Sequence, residues 1–587
     1  MRRPDKRAQT SVEARPQPRA PWVRLAYACA VASLWAVALL FDPAARESFR
    51  LPKALAAELL ALVSLLALAL AGRFAPDRAL ARHPALRAAL PLALAAALAA
   101  LLSSHAAHVT RALPGLAVAL ATLVGWSAGF SAGRRRRLLE ATVAPAVVLA
   151  AIGVLQFHGL FRPFGFAGPM LPRYETTSLA GNVGDLAAAL VVPALLAQAA
   201  LAAATSRRAR ILAGLKVALL LYAIGTSQTL AALAAVACGS LVLWGLLLPR
   251  RRMLQGAGAL AATALLAVVL VGPLRSRVVE KATALAAGDL NQVLTGRLDG
   301  WRAALWMLGR HPATGVGPGA FAAEFVPAKL ALLDEGVEFF PEQQQVVFAN
   351  AHNEALEVGA ETGLVGLGAL LWALGQVFGA VKEKRGVDPR ALAAAGVAAL
   401  VVLSLAYFPF RVAVVGYPVL AFLAWTLGRD EVEEERPRAS GRARLAAAAL
   451  LAVALVGAAL LARDRLDASR MLRSVEARTM QVLPAAGTPR GRAVLESNLR
   501  VLAEARRRDP AEVGVLVARG SQYLVLGRGE PAAAAYREAL ALEPRPETHL
   551  NLGRALKLLR RDDEAARELA IALRLSPHLV REVGDGD

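Results

Sequence analysis

The sequence predicts an all-α fold: a polytopic membrane helical bundle of about 12 core helices plus one further helix, followed by a soluble α-helical repeat domain. Three observations lead to this fold class. Hydrophobic residues make up 56% of the 587 residues, and the mean hydropathy is +0.47. Apolar runs of about 20 residues, the length of a membrane-spanning helix, recur along most of the chain. Near the C-terminus a charged, helical repeat replaces them.

The apolar runs define the membrane helices in chain order. The first run follows a basic start, and it is longer than a typical signal-peptide core, which favours a membrane helix over a cleaved signal. The only cysteines, Cys29 and Cys238, each lie inside an apolar run, so no disulfide framework is predicted from them. The runs lie near residues 22–41, 53–72, 88–102, 113–132, 138–158, 182–204, 211–226, 229–248, 254–274, 355–381, 391–409, 415–428 and 445–462.

The distribution of arginine predicts the orientation. If the basic N-terminus is cytoplasmic, alternate connections are cytoplasmic too, and the basic clusters fall on those connections, as the positive-inside rule requires. The net charge of +22 is explained in this way, so no nucleic-acid partner is predicted. The clusters are at residues 73–87, 134–137, 207–210, 250–252 and 382–385, with a connection of mixed charge at 429–444.

This orientation divides the chain into five parts. Residues 1–21 form a basic cytoplasmic N-terminus, and residues 22–430 form the membrane domain with a large extracytoplasmic loop at 275–353. Residues 431–444 are a cytoplasmic linker, residues 445–462 are the additional membrane helix, and residues 463–587 are an extracytoplasmic repeat domain. The polar residues that could carry chemistry are therefore concentrated outside the cytoplasm.

The repeat has a period close to 34 residues. Small residues and prolines recur at this spacing in Ala505, Ala539 and Ala572, and in Pro510, Pro544 and Pro577. The pattern resembles the tetratricopeptide repeat over roughly residues 495–580, in which paired helices stack into a concave binding surface. A plain amphipathic helical hairpin is the alternative. In either case, the segment is predicted to bind a protein partner or to pack rather than to catalyse.

The most informative polar stretch lies at 349–366, where the long loop turns into an apolar helix. Helical spacing predicts that His352, Leu356, Gly359 and Gly363 share one stripe. This arrangement places a titratable imidazole at the mouth of a membrane helix, where it could accept a proton from a hydroxyl group. The alternative is that His352 only caps the helix.

A second stretch, residues 295–321, predicts an amphipathic helix that runs into a glycine-rich turn. Arg297 and Arg302 carry planar guanidinium groups that could grip phosphate. The spacing of Gly315, Gly317 and Gly319 permits a tight backbone but is weak evidence for a phosphate site. Taken alone, such a helix is more often an interfacial amphipathic element.

Together these stretches resemble the O-antigen ligase and polymerase superfamily of bacterial envelope glycosyltransferases. The matching patterns are Thr-Gly-Arg, Trp-Arg and His-Pro-x-x-Gly-x-Gly at 295–317, and His-Asn-x-x-Leu-Glu with Glu-x-Gly-x-x-Gly at 352–366. The resemblance covers about residues 20–430. It implies a multi-pass protein of the bacterial inner membrane that transfers a glycan from an undecaprenyl-pyrophosphate carrier to an acceptor hydroxyl. The implied transfer is inverting and needs neither a metal nor a cofactor.

The resemblance also implies roles for individual residues. His352 matches the general base, with Asn353 and Glu354 as supporting residues, and Arg297 matches an arginine that binds the pyrophosphate. The chain departs from the family pattern at Gln228, which stands where the family often has a second pyrophosphate-binding arginine. An amide donates hydrogen bonds but carries no charge. The candidates to supply the missing charge on the same predicted side are Arg173, Arg302 and Arg411.

The acceptor stays open between a lipid A core, a polysaccharide end and a protein hydroxyl. Two rival functions stay open as well. A transporter or lipid flippase would place polar or broken helices around a path at mid-membrane, whereas a catalytically silent scaffold would only present the repeats. One acidic residue is a further functional candidate: Asp185 lies at an extracytoplasmic helix start, where a carboxylate suits the helix dipole and an N-terminal cap.

Overall fold

The computed structural model describes residues 20–76, 78–162, 175–255, 272–340, 347–429 and 441–579. Helices dominate these residues and no strand occurs among them, so the all-α fold class is confirmed. In this part of the chain, eleven helices are long and apolar enough to cross a membrane, and one shorter apolar helix accompanies them. The predicted N-terminal segment 1–21, apolar run 254–274 and linker 431–444 lie largely outside the described residues.

Each described membrane helix overlaps one predicted apolar run. The helices before the large loop are α1 (Ala20–Leu39), α2 (Arg50–Leu70), α3 (Pro84–Leu102), α4 (Ala106–Gly129), α5 (Ala132–Phe157), α6 (Val183–Ala202), α7 (Arg207–Ser227) and α8 (Leu230–Leu247). The loop contains α9 (Gly272–Ala286), α10 (Arg297–Arg310) and α11 (Phe321–Asp334). The chain then returns to the bundle through α12 (Glu354–Glu383), α13 (Val387–Ser404) and α14 (Ala413–Leu427).

Helices α6 and α14 form the centre of the bundle. Both are buried along most of their length, and α14 contacts α1, α2, α4, α6 and α12. A helix that is apolar on all sides is stable only when other helices surround it. Helix α6 begins at an Asn182 cap, whose side chain accepts hydrogen bonds from the backbone N–H groups of Gly184 and Asp185. Asn182 therefore fulfils the capping role predicted for Asp185.

The basic connections meet at one end of the bundle. Arg135 donates hydrogen bonds to the carbonyl groups of Phe130 and Arg429. Arg429 in turn donates to the carbonyl of Arg82, and Lys384 donates to the carbonyls at the end of α14. Four of the predicted basic connections, at 73–87, 134–137, 382–385 and 429–444, thus share a side, as the positive-inside pattern requires. That this side is the cytoplasm stays a prediction.

At the opposite end, the two motif segments interlock. Gly315 (φ +66°) and Gly363 (φ +64°) both adopt left-handed backbone, and α12 is interrupted at Gly363. A Cβ atom added to Gly315 would lie 2.4 Å from the carbonyl oxygen of Ala360, and one added to Gly363 would lie 2.3 Å from that of Ala313. Only glycine permits both the dihedral angles and the close approach. These glycines therefore allow the loop to pack directly against α12.

The amides of the glycine-rich turn are occupied by this contact. The backbone N–H of Gly317 donates to the carbonyl of Glu361 at 2.9 Å, and that of Gly319 donates to Glu361 Oε1 at 2.9 Å. Backbone groups that are already paired do not form an open cradle for phosphate. The turn therefore serves packing, and its N–H groups give no support to a phosphate site.

The C-terminal region is helical throughout its described part. Helix α15 (Gly441–Val482) runs without interruption from the last predicted membrane span into the tail. The helices that follow are α16 (Pro489–Arg508), α17 (Val513–Val525), α18 (Gly529–Leu542), α19 (Pro546–Leu558) and α20 (Asp562–Leu575), and each packs against its neighbour in the chain. This arrangement fits paired helices, whereas the tetratricopeptide assignment stays a prediction.

The tail touches the end of the bundle at which the loop lies. Leu575 is fully buried in one apolar cluster with Phe325 of α11, and its carbonyl accepts a hydrogen bond from Lys329 Nζ at 3.0 Å. Nearer the start of the tail, Glu512 pairs with Arg111 of α4 at 2.9 Å. The loop, the bundle and the tail are therefore in direct contact.

Candidate functional site

His352 lies in the turn that immediately precedes α12. Its φ of +55° places it in the left-handed region, which is uncommon for a residue with a side chain. The helix cap is Asn353, whose side-chain oxygen accepts a hydrogen bond from the backbone N–H of Leu356 at 3.1 Å. The predicted stripe of His352 with Leu356 and Gly359 is therefore wrong, because the chain turns at His352 before the helix starts. Capping by His352, the alternative interpretation, is wrong as well.

The imidazole of His352 packs between two aromatic rings. Phe348 lies edge-to-face at 5.6 Å and Phe408 at 4.9 Å. Its Nδ1 atom is buried and has no hydrogen-bond partner among the described residues. Burial lowers the pKa of His352, and the positive charges of Arg297 and Arg50 lower it further, to about 3. The ring is therefore neutral near pH 7, and a neutral imidazole offers one nitrogen as a proton acceptor.

Arg297 is brought to His352 by the backbone of α10. The helix begins at Arg297, directly after the left-handed residues Thr295 and Gly296. One turn into the helix, a Cβ atom on Gly300 would lie only 3.0 Å from the carbonyl oxygen of Ala351. This close approach sets the start of α10 against the residue that precedes His352. The structure thus joins the two motif residues that the sequence places 55 positions apart.

Arg302 and Asp299 fold the end of the loop onto α10. Arg302 Nη1 donates to the carbonyl of Glu338 at 2.5 Å and lies 3.9 Å from Asp299 Oδ1. Asp299 Oδ2 accepts a hydrogen bond from the backbone N–H of Phe340 at 2.9 Å. Burial raises the pKa of Asp299, although hydrogen bonds and nearby cations partly oppose this shift. These contacts give Arg302 a defined structural partner.

Arg411 lies among three buried carboxylates. Its Nη2 atom is 2.8 Å from Glu361 Oε2, and its Nε atom is 3.2 Å from Glu357 Oε1 and 3.7 Å from Glu354 Oε1. Although burial opposes it, the negative charge of these carboxylates raises the pKa of Arg411. Sequence reasoning singled out Arg411 and Glu354, whereas it included Glu357 and Glu361 in the matching motifs without giving them a site role. Their spacing of three and seven residues from Glu354, on one helix face, was the available signal.

Glu357 also fixes the turn that carries His352. Its Oε1 atom accepts a hydrogen bond from Asn350 Nδ2 at 2.6 Å, and its Oε2 atom accepts one from the backbone N–H of Ala351 at 3.1 Å. From the other side, Asn353 Nδ2 donates to the carbonyl of Leu405 at 3.1 Å. The turn is therefore held by α12 and by the connection between α13 and α14. Such supporting contacts keep a functional side chain in one geometry.

A second cluster adjoins His352 through aromatic contacts. Arg50, the first residue of α2, binds Asp185 in a bidentate manner, with Nε to Oδ2 at 2.9 Å and Nη2 to Oδ1 at 3.0 Å. The hydroxyl of Tyr407 donates to Asp185 Oδ1 at 2.5 Å, and its ring stacks on Phe408 at 4.6 Å. Burial and the charge of Asp185 raise the pKa of Tyr407, so it stays a hydrogen-bond donor. Sequence reasoning missed both Arg50 and Tyr407.

Two predicted donor-binding residues, Gln228 and Arg173, remain to be located. Gln228 is the left-handed C-cap of α7, with φ +52°, and its backbone N–H donates to the carbonyl of Gly225 at 3.1 Å. Arg173 lies outside the described residues. Within the described ranges, no group of three or more His, Cys, Asp or Glu side chains is arranged to hold a metal ion. Metal independence stays a prediction.

Fold and site together define a multi-pass helical membrane protein with a histidine–arginine site where a polar loop enters the bundle. Residues 214–371 match a family model described as O-Antigen ligase. The matched segment contains Gln228, Arg297, Arg302 and His352, whereas Arg50, Asp185 and Arg411 lie outside it. No match to a curated protein was found. The family match supports a membrane glycosyltransferase-like function and a place in a bacterial membrane.

Proposed function

We propose that this chain is a membrane glycosyltransferase of the O-antigen ligase or polysaccharide polymerase type. It transfers a glycan from an undecaprenyl-pyrophosphate carrier to an acceptor hydroxyl at the periplasmic face of the inner membrane. The observation that carries this proposal is the buried, neutral His352 beside Arg297, in the segment that matches the family model. The geometry suits a base and a cation that act on one reacting centre.

In the proposed step, the acceptor oxygen attacks the anomeric carbon on the face opposite the departing pyrophosphate. A carbon–oxygen bond forms to the acceptor, and the bond to the phosphate oxygen breaks, with its electron pair passing to the pyrophosphate. The hydroxyl proton moves to His352, which contributes a factor of about 10² to 10⁴. Arg297 stabilises the negative charge that develops on the leaving group more strongly in the transition state than in the ground state.

Donor binding itself strengthens the base. In the free protein, the charges of Arg297 and Arg50 help to hold the pKa of His352 at about 3, so the imidazole is a weak base. A bound pyrophosphate places negative charge close to these arginines and offsets their effect on the ring. A nearby negative charge favours the protonated imidazole, so the pKa of His352 rises when the donor is bound. The histidine therefore becomes an effective base only in the presence of donor.

The remaining predicted residues divide into two groups. Arg297, Arg302 and Gln228 are donor-binding candidates, as is Arg173. Arg411 faces three glutamates, which would repel a pyrophosphate, so its contacts favour a positioning role for Arg411 and Glu354. Asn353 supports His352 through its cap and its bond to Leu405. Residues 463–587 form the proposed periplasmic repeat domain that binds a protein partner.

The test is a transfer assay with labelled undecaprenyl-pyrophosphate-linked glycan and membranes that contain equal amounts of protein. His352→Ala should slow single-turnover transfer about 10²-fold or more and leave equilibrium donor binding nearly unchanged. The matched control is His549→Ala, which removes a tail histidine bound to Glu568 at 2.7 Å and should keep the wild-type rate. A wild-type transfer rate in His352→Ala would show that His352 is not the base. If wild-type protein failed to use lipid A core, polysaccharide and protein acceptors, the proposed function would be contradicted.

A further inference from the structure

The proposed donor site lacks one cation. Gln228 stands in place of an arginine, and a neutral amide cannot offset the charge of a pyrophosphate. Of the arginines considered from the sequence, Arg411 is surrounded by carboxylates and Arg302 binds the carbonyl of Glu338. Arg173 lies outside the described residues, so the described part of the chain leaves room for another arginine close to His352.

We propose that Arg50, held in place by Asp185 and Tyr407, is the second cationic contact for the pyrophosphate of the donor. This inference rests on the function proposed above. It gives a binding role to a residue that lies 302 positions from His352 in the sequence and outside the segment matched by the family model.

Continuous side-chain contacts connect Arg50 to the reacting centre. Arg50 binds Asp185, Asp185 accepts a hydrogen bond from Tyr407, and Tyr407 stacks on Phe408. Phe408 in turn contacts the ring of His352 at 4.9 Å. Arg50 also lies at the start of α2, at the same end of the bundle as the turn that carries His352. These contacts link the guanidinium of Arg50 to the ring of His352.

The hydrogen-bond pattern leaves part of the guanidinium available. A guanidinium has five N–H donors in a planar fork. Asp185 occupies the Nε and Nη2 side, whereas Nη1 is not engaged by Asp185. The side chain of Arg50 is 49% exposed, although that of its partner Asp185 is only 1% exposed. A buried carboxylate therefore fixes an arginine whose other side can bind an anion.

The electrostatics agree with this placement. The charge of Arg50 is among the causes that hold the pKa of His352 low, next to that of Arg297. Both cations act on one imidazole, so an anion bound in the volume next to that ring would be attracted by both. A pyrophosphate bound in that volume would contact both guanidinium groups, as charge-assisted hydrogen bonds require.

The experiment measures binding of undecaprenyl pyrophosphate to purified full-length protein in nanodiscs, together with the acid limb of kcat/KM. Arg50→Gln should weaken binding about ten- to a hundredfold, and Arg50→Lys should retain part of the affinity. Loss of the Arg50 charge should also move the acid limb to higher pH, because this charge helps to hold the pKa of His352 low. The donor affinity is the readout that separates a donor contact from a purely structural role. Gln228→Arg added to Arg50→Gln should restore binding, because it supplies a cation at the family position.

Arg46→Gln is the matched control, because Arg46 is on the same connection, is 41% exposed and pairs with Glu476 of the tail. It should change neither the affinity nor the acid limb. If Arg50→Gln fails to fold, the double variant Arg50→Gln with Asp185→Asn removes the unpaired carboxylate and should still bind weakly. If a folded Arg50 variant bound undecaprenyl pyrophosphate with wild-type affinity while Arg297→Ala bound it weakly, the role of Arg50 would be overturned. The proposed function would be unaffected. If wild-type protein did not bind undecaprenyl pyrophosphate, the proposed function itself would fail.

Discussion

The site segment (residues 295–366) and the repeat tail (residues 463–579) are both helical and lie at the same end of the bundle, yet they are built differently. In the site segment, Thr295 and His352 have left-handed backbone, and Trp301 Nε1 and His352 Nδ1 are buried without hydrogen-bond partners among the described residues. Three buried carboxylates in this segment converge on Arg411. The tail instead pairs exposed charges, such as Arg528 with Glu496.

The clearest part of this difference is the burial of charge in the site segment. Left-handed backbone at residues other than glycine and buried polar atoms without partners each destabilise a fold, and proteins keep them mainly where function needs them. The described part of the tail has both features as well, at Arg560 and at Asn498 Oδ1, so the clearer difference is the group of three buried carboxylates around Arg411. The charged face of an amphipathic helical repeat lies in water. The two regions should therefore respond differently to equivalent substitutions of a charged residue.

The largest expected effect is the loss of Arg411. Arg411→Ala leaves three buried carboxylates without their guanidinium and should lower the free energy of unfolding by about 3–5 kcal/mol. The equivalent change in the tail, Arg528→Ala, removes an exposed ion pair and should lower it by about 0–1 kcal/mol. Thermal unfolding of both variants in the same detergent compares them. Equal shifts would remove the contrast between the two regions.

A smaller effect is expected at Arg297, which contacts the donor in the proposed mechanism. Arg297→Ala should weaken donor binding and slow transfer by about ten- to a hundredfold, since it removes a charged hydrogen bond. Arg297→Lys should restore only part of the donor affinity and of the transfer rate, because an ammonium group lacks the planar fork of donors. Equilibrium binding and single-turnover transfer are the measurements. If Arg528→Ala in the tail impaired binding equally, general destabilisation would explain both results.

The pH dependence sharpens the contrast further. The free-protein pKa of His352 is about 3, so the acid limb of kcat/KM should lie near that pH, whereas bound donor should move the limb of kcat higher. The free energy of unfolding also depends on the protonation of His352. Because the unfolded pKa is about 6.5, its contribution is complete above that pH and is lost as the pH falls towards the folded value. His352→Ala should abolish this part of the pH dependence of unfolding, and its persistence would point to another group.

The smallest effect on transfer is expected from the core of the tail. Leu556→Ala removes a buried side chain from a cluster formed only by tail residues and should destabilise the tail by about 2–5 kcal/mol without changing the transfer rate. Leu575→Ala is the informative comparison, because Leu575 packs against Phe325 of the loop and should slow transfer when removed. Identical transfer rates for both variants would show that the packing of the tail against the loop does not affect transfer.

The sequence by itself determined the all-α membrane fold and indicated two residues of the candidate site. Hydropathy and helical period are local properties, so the apolar runs located each described membrane helix, and the amphipathic segment at 295–310 forms helix α10. The motif patterns singled out His352 and Arg297 because unusual residue types stood out against an alanine- and leucine-rich background. The basic clusters also predicted which connections share an end.

Only the tertiary structure decided how these residues meet. The left-handed turn at His352 follows from the Asn353 cap and from the contacts of Glu357, and helical spacing alone predicted a different orientation. Arg50 binds Asp185 across 135 residues, and Tyr407 reaches Asp185 across 222. Such pairs depend on how α2, α6 and the connection before α14 pack against one another. No pattern within a single segment encodes that packing, so Arg50 became a candidate only once the helices were assembled.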